Sequence, residues 1–483
     1  MNNQISGYKL IIYYIGLFLI AIGFIILLPL LMLIFYHNEI KYAYCFLIPG
    51  IITIFLGYLI NFFFKKKKPV NLENHQDVVL VVLIWIILIF VSSFPFLLTG
   101  KISFTRAIFE VTSGYTTTGL SVIDVASCPK IFLFYRSLTL FVGGVGFVLI
   151  VTSAISDKLR LNIYEAEGHN DKLLPNFIKS SRLIFALYFG YIVLGTILYL
   201  CCGMDLFDAF NHSIAALSTG GFSTKAGNIY EFHSLGIEIV SILLMLLGGT
   251  NFVIHIFLLK RKFKAVFFHC ETIFSFLIII LFSIISISIF YGTNFECDNN
   301  NVMVVIFQLV SALTTTGFQN ISSISILPHF FIGIMIMFML IGGEMGSTAG
   351  GIKQFRIITC LKGIGDYIAR SFKNRKIIHH SLLRKDEQII YLDDNKLSAN
   401  YAFVFTYLLL FLIGSLIFSS FGYSMEESMF EFASCLSTVG LSCGLITMYS
   451  SNVILWTAIV GMYLGRLEIF AVIYTIINLS SRK

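Results

Sequence analysis

Charge is what this chain has least of. Asp, Glu, Lys and Arg supply 12% of its 483 residues, about half the roughly 25% of an ordinary soluble domain. That leaves too little polar surface to cover a water-soluble body of this size. The hydrophobic content of 57% and the mean hydropathy of +0.88 point the same way. A soluble enzyme, a nucleic-acid-binding domain and a disordered chain are excluded, which leaves an integral membrane protein. Paired cysteines are missing as well. The nine (Cys45, Cys128, Cys201, Cys202, Cys270, Cys297, Cys360, Cys435, Cys443) are odd in number, scattered and free of any CxxC pair, so neither a zinc site nor a disulfide framework is indicated. No Walker motif and no GxGxxG after a strand provides for a nucleotide. Paired catalytic groups inside apolar runs are absent too, and the ten histidines are dispersed, which argues against an intramembrane enzyme.

What the chain does have is apolar length. A bilayer core of about 30 Å needs roughly 20 apolar residues in a helix. Such runs fall near 10–36, 43–64, 78–99, 131–153, 183–202, 235–259, 272–292, 327–350, 402–420 and 453–478, which predicts ten transmembrane helices. The first carries no small-residue cleavage signature and is expected to be retained. Basic residues then set the orientation, because Lys and Arg near span ends stay cytoplasmic. The clusters are Lys65 to Lys68; Lys158, Arg160, Lys172, Lys179 and Arg182; Lys260, Arg261, Lys262 and Lys264; and the segment 353–396, with Arg370, Lys373, Arg375, Lys376, Arg384 and Lys385. With the terminal Ser481-Arg482-Lys483, all fall on one side of a ten-span arrangement. The net charge of +7 is therefore a topology signal rather than a nucleic-acid patch, and both termini are expected to be cytoplasmic.

Between certain spans lie shorter apolar segments that end in hydroxyl residues and glycine. Aligned on that glycine they make four copies: Ser113-Gly114-Tyr115-Thr116-Thr117-Thr118-Gly119-Leu120-Ser121, Ala215-Ala216-Leu217-Ser218-Thr219-Gly220-Gly221-Phe222-Ser223, Ser311-Ala312-Leu313-Thr314-Thr315-Thr316-Gly317-Phe318-Gln319 and Ser434-Cys435-Leu436-Ser437-Thr438-Val439-Gly440-Leu441-Ser442. Ser or Thr stands three before the glycine, Thr two before it, a small residue five before it, and Leu or Phe follows. The glycines lie 102, 96 and 123 residues apart. One such motif would be an ordinary helix-packing signal; four at near-equal spacing, each between two spans, are a repeat. The short segments (about 103–116, 204–217, 301–314 and 425–437) cannot cross the bilayer and read as re-entrant helices. Irregular backbone at membrane depth persists only where it is buried or lines a water-filled cavity, so four such loops imply a central aqueous path.

The chemistry of the loops suits a monovalent cation. Glycine lets the backbone turn carbonyls toward an axis, and rings of carbonyl and hydroxyl oxygens replace a cation's hydration shell. A re-entrant helix also aims its negative C-terminal end at the membrane centre. An anion path would carry Lys or Arg there, and none lies inside the four motifs. Loop two has Gly220 and loop four Val439 where loops one and three have Thr118 and Thr316. Selectivity is therefore expected to be less strict than in a symmetric potassium channel. Asp205, Asp208, Glu426, Glu427 and Glu431 fall near the outer starts of the short helices, where they complement helix dipoles or attract cations.

Below the loops, the second span of each unit carries glycines: Gly143 and Gly144, Gly248 and Gly249, Gly342 and Gly343, Gly461 and Gly465. These serve close packing or gating. The third unit differs in kind. Five glycines in the ten residues 342–351 break a helix, and a loop at that depth needs a cavity beside it. Arg466 sits deep in the last span, at a cost of several kcal/mol unless it meets water or a partner. It either forms a buried ion pair with Glu468 or Glu344 or lines the path as a positive charge.

Four span–pore-loop–span units with TTTG-type loops and an extra N-terminal helix pair resemble the Trk/Ktr/HKT superfamily of potassium transporters, and within it the bacterial TrkH/TrkG-type pore-forming subunit. The resemblance covers essentially the whole chain. It implies an all-α integral membrane fold of ten transmembrane helices in pseudo-fourfold arrangement. The parts would be an N-terminal pair (1–70) and pore repeats at 71–180, 181–265, 266–398 and 399–483. It implies a selectivity filter binding potassium, the transported ion, at Thr117, Thr118, Gly119, Thr219, Gly220, Gly221, Thr315, Thr316, Gly317, Thr438, Val439 and Gly440; glycine in all four loops goes with potassium preference. It implies an intramembrane gating loop including Gly346, Ser347, Thr348, Gly350 and Gly351, an electrostatic barrier at Arg466, and no cofactor. It further implies a homodimer in a bacterial inner membrane, seated on a cytosolic ring of nucleotide-binding RCK/KTN regulatory subunits. The basic segment 353–396 either docks such a partner or lies on anionic membrane lipid. The alternative is a secondary transporter of another cation or small solute, H+- or Na+-coupled and built on inverted repeats; the basic clusters make these four units parallel, which speaks against it.

Overall fold

The computed structural model describes residues 4–5, 8–64, 68–69, 76–146, 177–293, 295, 299–372, 381–385 and 388–480. Outside them lie the end of the expected 131–153 span, the basic residues at 65–67, 158, 160, 172, 373, 375 and 376, Cys297, and the terminal Ser481-Arg482-Lys483. Regular structure is almost wholly helical. The exceptions among the described residues are a two-residue parallel bridge between Gln4–Ile5 and Lys68–Pro69 and an antiparallel hairpin of Ser381–Lys385 with Gln388–Leu392. Among the described residues six helices are long and apolar enough to cross a bilayer, up to eight if each of two bent pairs counts as one span.

Helix α1 (Tyr8–Leu27) is apolar from Leu10 onward and passes at Pro29 into a 3-10 stretch, Leu28–Ile34. It pairs with α2 (Ala43–Phe64). Gly23 and Gly57 permit the approach: a Cβ on Gly57 would lie 2.6 Å from the Gly16 carbonyl oxygen and one on Gly23 2.5 Å from Ile54, the close contact that small residues give membrane helices. The outward face of α2 exposes Phe55, Phe62 and Phe63, as suits a surface wetted by lipid tails.

Four groups of helices follow. The first is α3 (Gln76–Ser92), the short α4 (Phe104–Tyr115) and α5 (Lys130–Val145). The second is α6 (Phe177–Cys201), the short α7 (Leu206–Leu217), α8 (Leu235–Gly249) and α9 (Phe252–Leu259). The third is α10 (Cys270–Gly292), the short α11 (Asn301–Leu313) and α12 (His329–Ile341). After α13 (Gln354–Phe372) and the hairpin comes the fourth: α14 (Asp394–Ser419), the short α15 (Met425–Leu436), α16 (Asn452–Arg466) and α17 (Ile469–Ser480). The four short helices begin and end within two residues of the expected segments. Each packs on the second long helix of the preceding group: α7 on α5, α11 on α8, α15 on α12, and α4 on α16. The last contact closes a ring.

Three expected spans are not single helices. The run 235–259 bends by 107° between α8 and α9, because Asn251 caps a new helix by accepting the Val253 amide at 2.8 Å. The run 453–478 bends by 98° between α16 and α17, at Glu468, whose φ is 53° and whose carboxylate is held by Arg356 at 2.6 Å. The run 327–350 is helical only to Ile341; Gly342, at φ 73°, turns the chain into an irregular loop. Hydrophobicity measures length of apolar chain, and all three runs are apolar enough. Caps and ion pairs decide where the backbone turns. The segment 353–396, expected only as a long basic connection, contains α13 and the hairpin.

Candidate ion path and its loops

At the end of each short helix the chain repeats one backbone course. The amide of the residue before the motif glycine turns back to a carbonyl five residues earlier: Thr118 to Ser113 at 2.8 Å, Gly220 to Ala215 at 2.9 Å, Thr316 to Ser311 at 3.0 Å and Val439 to Ser434 at 2.8 Å. To do so, Thr117, Thr219, Thr315 and Thr438 take φ of 55°, 51°, 53° and 52°. A β-branched residue in the left-handed region is strained by about 1–3 kcal/mol, and the same strain recurs in all four loops. The glycines that follow also take positive φ, between 64° and 99°.

The glycines bring the loops together. A Cβ on Gly119 would run into the carbonyl oxygen of Gly220, one on Gly221 into that of Thr316, one on Gly317 into that of Val439, and one on Gly440 into that of Thr118. Loop one meets two, two meets three, three meets four, and four meets one. Leu120, Phe222, Phe318 and Leu441 are buried behind this ring. All twelve residues expected at the filter are thus gathered in one place.

A further column, not recognised in the motif, supports the outer side. Nine residues before each glycine a polar side chain of the short helix reaches the strand that leaves the loop. Glu110 accepts the Ser121 hydroxyl at 3.0 Å, and Glu431 that of Ser442 at 2.7 Å. His212 Nε2 lies 2.9 Å from Ser223 Oγ; its Nδ1, 2.8 Å from the Asp208 carbonyl, is placed to donate there. Gln308 donates to Asn320 at 3.1 Å. Residue identity changes from copy to copy, which hid the column, although its spacing equals that of the glycines. Glu431 is therefore not at the outer start of its helix, as expected, but buried at mid-helix, where it also accepts the amides of Cys443 and Ile446 at 3.0 and 3.3 Å. Glu427 keeps the expected place, in a capping box with Ser424. In the first loop Arg136 joins the column. It pairs with Glu110 at 2.8 Å, donates to the Ser223 carbonyl at 3.2 Å and covers the Phe222 ring at 3.9 Å, so loop one is fastened to loop two.

Beneath the ring lies the glycine-rich loop between α12 and α13. The Thr348 hydroxyl is 3.1 Å from that of Thr219 and donates to the carbonyls of Leu217 and Gly248 at 3.2 and 3.0 Å. The Gly350 amide donates to Thr315 Oγ1 at 2.7 Å, and a Cβ on Gly350 would strike Ser437 and Thr438. The loop thus reaches three of the four strained threonine positions. The hydroxyls of Thr117 and Thr438 are buried without a hydrogen-bond partner among the described residues; such oxygens suit a desolvated cation. Gly346 accepts the Phe252 amide at 3.2 Å, the Ser347 hydroxyl donates to the Glu344 carbonyl at 2.6 Å, and Gly351 turns at φ 81°.

Arg466 holds the loop from the side. Its guanidinium donates to the Thr348 carbonyl at 3.1 Å and to that of Gly143. Of the two acids considered as its partners, Glu468 pairs with Arg356, and Glu344 accepts the Asn251 amide and the Thr272 hydroxyl, each at 3.0 Å. A cavity of about 40 Å³ beside the loop is lined by Trp85, Lys353, Tyr407, Thr438, Arg466 and Glu468 among others. The glycines of the second helices serve close approach: a Cβ on Gly143, Gly248 or Gly465 would meet the carbonyl of Tyr115, Leu217 or Leu436, the last residues of the short helices.

The supports differ in kind, so their removal should differ in cost. Glu110→Ala leaves the Arg136 guanidinium buried and uncompensated, a loss of about 3–5 kcal/mol. Gln308→Ala removes a neutral hydrogen bond worth about 1 kcal/mol. Thermal unfolding of the purified variants should show the larger drop for Glu110→Ala; equal drops would remove the ion pair from this account.

The TrkH family model, described as a cation transport protein, matches residues 44–289 and 297–483. An uncharacterized cation transporter of Methanocaldococcus jannaschii is 32% identical over 473 residues, covering 96% of this chain and 94% of that protein. The Trk system potassium uptake protein TrkG of Escherichia coli is 29% identical over 477 residues, covering 94% of this chain and 95% of its own. The crystal structure of the potassium transporter TrkH from Vibrio parahaemolyticus matches with a TM-score of 0.83 at 24% identity, over 97% of this chain and 98% of that one; the likeness is one of fold.

Proposed function

We propose that this chain, which belongs to the TrkH family of cation transport proteins, takes up potassium across a cell membrane along the axis enclosed by its four Thr-Gly loops. The observation that carries this reading is the closed sequence of glycine-to-carbonyl contacts from Gly119 round to Thr118. Backbone oxygens brought that close by four loops can replace the hydration shell of a monovalent cation. The motifs hold no Lys or Arg, and the buried Arg136 beside the first loop is balanced by Glu110. Thr117, Thr118, Gly119 and their counterparts Thr219, Gly220, Gly221, Thr315, Thr316, Gly317, Thr438, Val439 and Gly440 would form the filter.

An ion leaving the filter inward then meets Gly346, Ser347, Thr348, Gly350 and Gly351. Thr348 and Gly350 are hydrogen-bonded to Thr219 and Thr315, so conduction requires the loop to let go of the filter. Arg466 acts twice in this reading. It ties the loop down through the Thr348 carbonyl, and it sets a positive charge beside the path, which repels a cation. The fold is read as ten spans, four units about a pseudo-fourfold axis at 71–180, 181–265, 266–398 and 399–483, with a helix pair at 1–70. The same reading sets a homodimer in a bacterial inner membrane with both termini cytoplasmic, and RCK/KTN regulatory subunits below the segment 353–396. Support for potassium as cargo comes from the name of the Escherichia coli relative, a Trk system potassium uptake protein.

Growth of a potassium-uptake-deficient bacterium at low potassium tests the reading, with and without a co-expressed nucleotide-binding subunit. Rescue by the wild-type chain is expected, and failure in both settings overturns potassium uptake. Gly317→Ala forces a methyl group into the Val439 carbonyl; a displacement costing about 1.4 kcal/mol or more lowers flux roughly tenfold or more. Arg466→Ala should raise potassium flux in proteoliposomes. Unchanged or lower flux in a folded Arg466→Ala variant would count against the barrier.

A further inference from the structure

The tip of the glycine-rich loop touches the filter, but its two ends are held elsewhere. Glu271, the second residue of α10, is fully buried. One of its carboxylate oxygens accepts the Met345 amide at 2.7 Å and the Phe355 amide at 3.1 Å. Those amides stand at the two ends of the loop, so a single oxygen closes its base. Glu344, equally buried, ties the first arm to the break between α8 and α9 through the Asn251 amide and to α10 through Thr272. Two carboxylates therefore share one enclosed site. A pair of like charges out of water needs a cation close by.

His269 stands at its edge, with Nε2 4.0 Å from Glu271. Lys385 and His269 both attract the two acids, Lys385 more strongly on Glu271 and His269 more strongly on Glu344. Lys385 ends the first strand of the hairpin, and it is only 4% exposed although Leu382 and Tyr391 of the same hairpin are 43% and 62% exposed. Its ammonium lies 4.7 Å from the centre of the Phe355 ring, over the residue whose amide Glu271 holds. The neighbouring Arg384 covers Phe268 at 5.3 Å, which seats the hairpin just ahead of α10. A surface hairpin thus puts one buried lysine over the Phe355 end of the loop's base.

We propose that Glu271 and Lys385 are positioning residues for the loop: Glu271 holds both of its ends, Lys385 balances the paired acids, and displacement of the hairpin Ser381–Leu392 loosens the loop beneath the filter. This rests on the reading of the loop as the obstruction. With Lys385 withdrawn, Glu271 and Glu344 repel each other and draw in water, and the amides of Met345 and Phe355 lose a fixed acceptor. The hairpin becomes the handle by which anything bound to that face alters conduction.

The test uses the full-length protein in liposomes, with rubidium flux as readout. Lys385→Met and Glu271→Ala should each raise flux severalfold, Lys385→Arg should leave it at the wild-type level, and the double variant Glu271→Ala/Lys385→Met should match the larger single effect. Thr348→Ala, which frees the tip without touching the base, separates the two ideas. If Thr348→Ala raises flux and the base variants do not, the proposal fails and the loop remains the obstruction. If none of these variants raises flux, the reading of the loop fails and the proposal with it. A double variant showing the product of the single effects would mean that Glu271 and Lys385 act independently, which also overturns it. Hydrogen exchange supplies a second measurement that needs no flux: in Lys385→Met, the amides of Met345 and Phe355 should exchange faster while those at mid-α10 do not. Unchanged exchange at those two amides refutes the proposal.

Discussion

Four glycine Cα atoms pressed against four carbonyl oxygens are the contact on which the rest of the structure depends. The ring closes only if each short helix delivers its last turn to the same depth. That is why each strained threonine recurs at nearly the same φ and each helix end at nearly the same hydrogen-bond length. The strain is tolerable because the surroundings over-determine the backbone. Helix ends are held by their own turned-back amides, strands beyond the glycine by the buried polar column, and the helices by the preceding group in the ring.

Around this repeated centre the supports are unequal. One loop is braced by an ion pair, one by a lone carboxylate taking hydroxyl and amide protons, one by an imidazole and one by an amide. Below the ring the inequality is greater. A single glycine-rich loop, from the third group, reaches threonines of the second, third and fourth, and the arginine that holds it comes from the fourth. The centre therefore repeats, and its underside does not.

Much of this was legible in the residues. The short helices lie where apolar runs too short to cross a bilayer end in Thr and Gly, because both the length limit and the glycine are local requirements. The polar column was not recognised because Glu110, His212, Gln308 and Glu431 share a task, not a residue type. The broken runs at 235–259 and 453–478 were missed because hydropathy does not register a cap at Asn251 or an ion pair that draws Glu468 aside. Arg466, costly at that depth without a partner, donates to two carbonyls on different groups, which no local pattern specifies.

By itself, then, the sequence determined the solvent the protein lives in, the number of loops and the residues at their tips. Each of these follows from composition or from what a residue can do to its own backbone. The tertiary structure decided the order in which the loops meet, the seat of the glycine-rich loop beneath them and the partners of its buried charges. Those contacts join backbone atoms of motifs whose glycines lie 96 to 321 residues apart, and close approach between distant carbonyls and glycines depends on how whole helices pack, not on any property of the neighbouring residues.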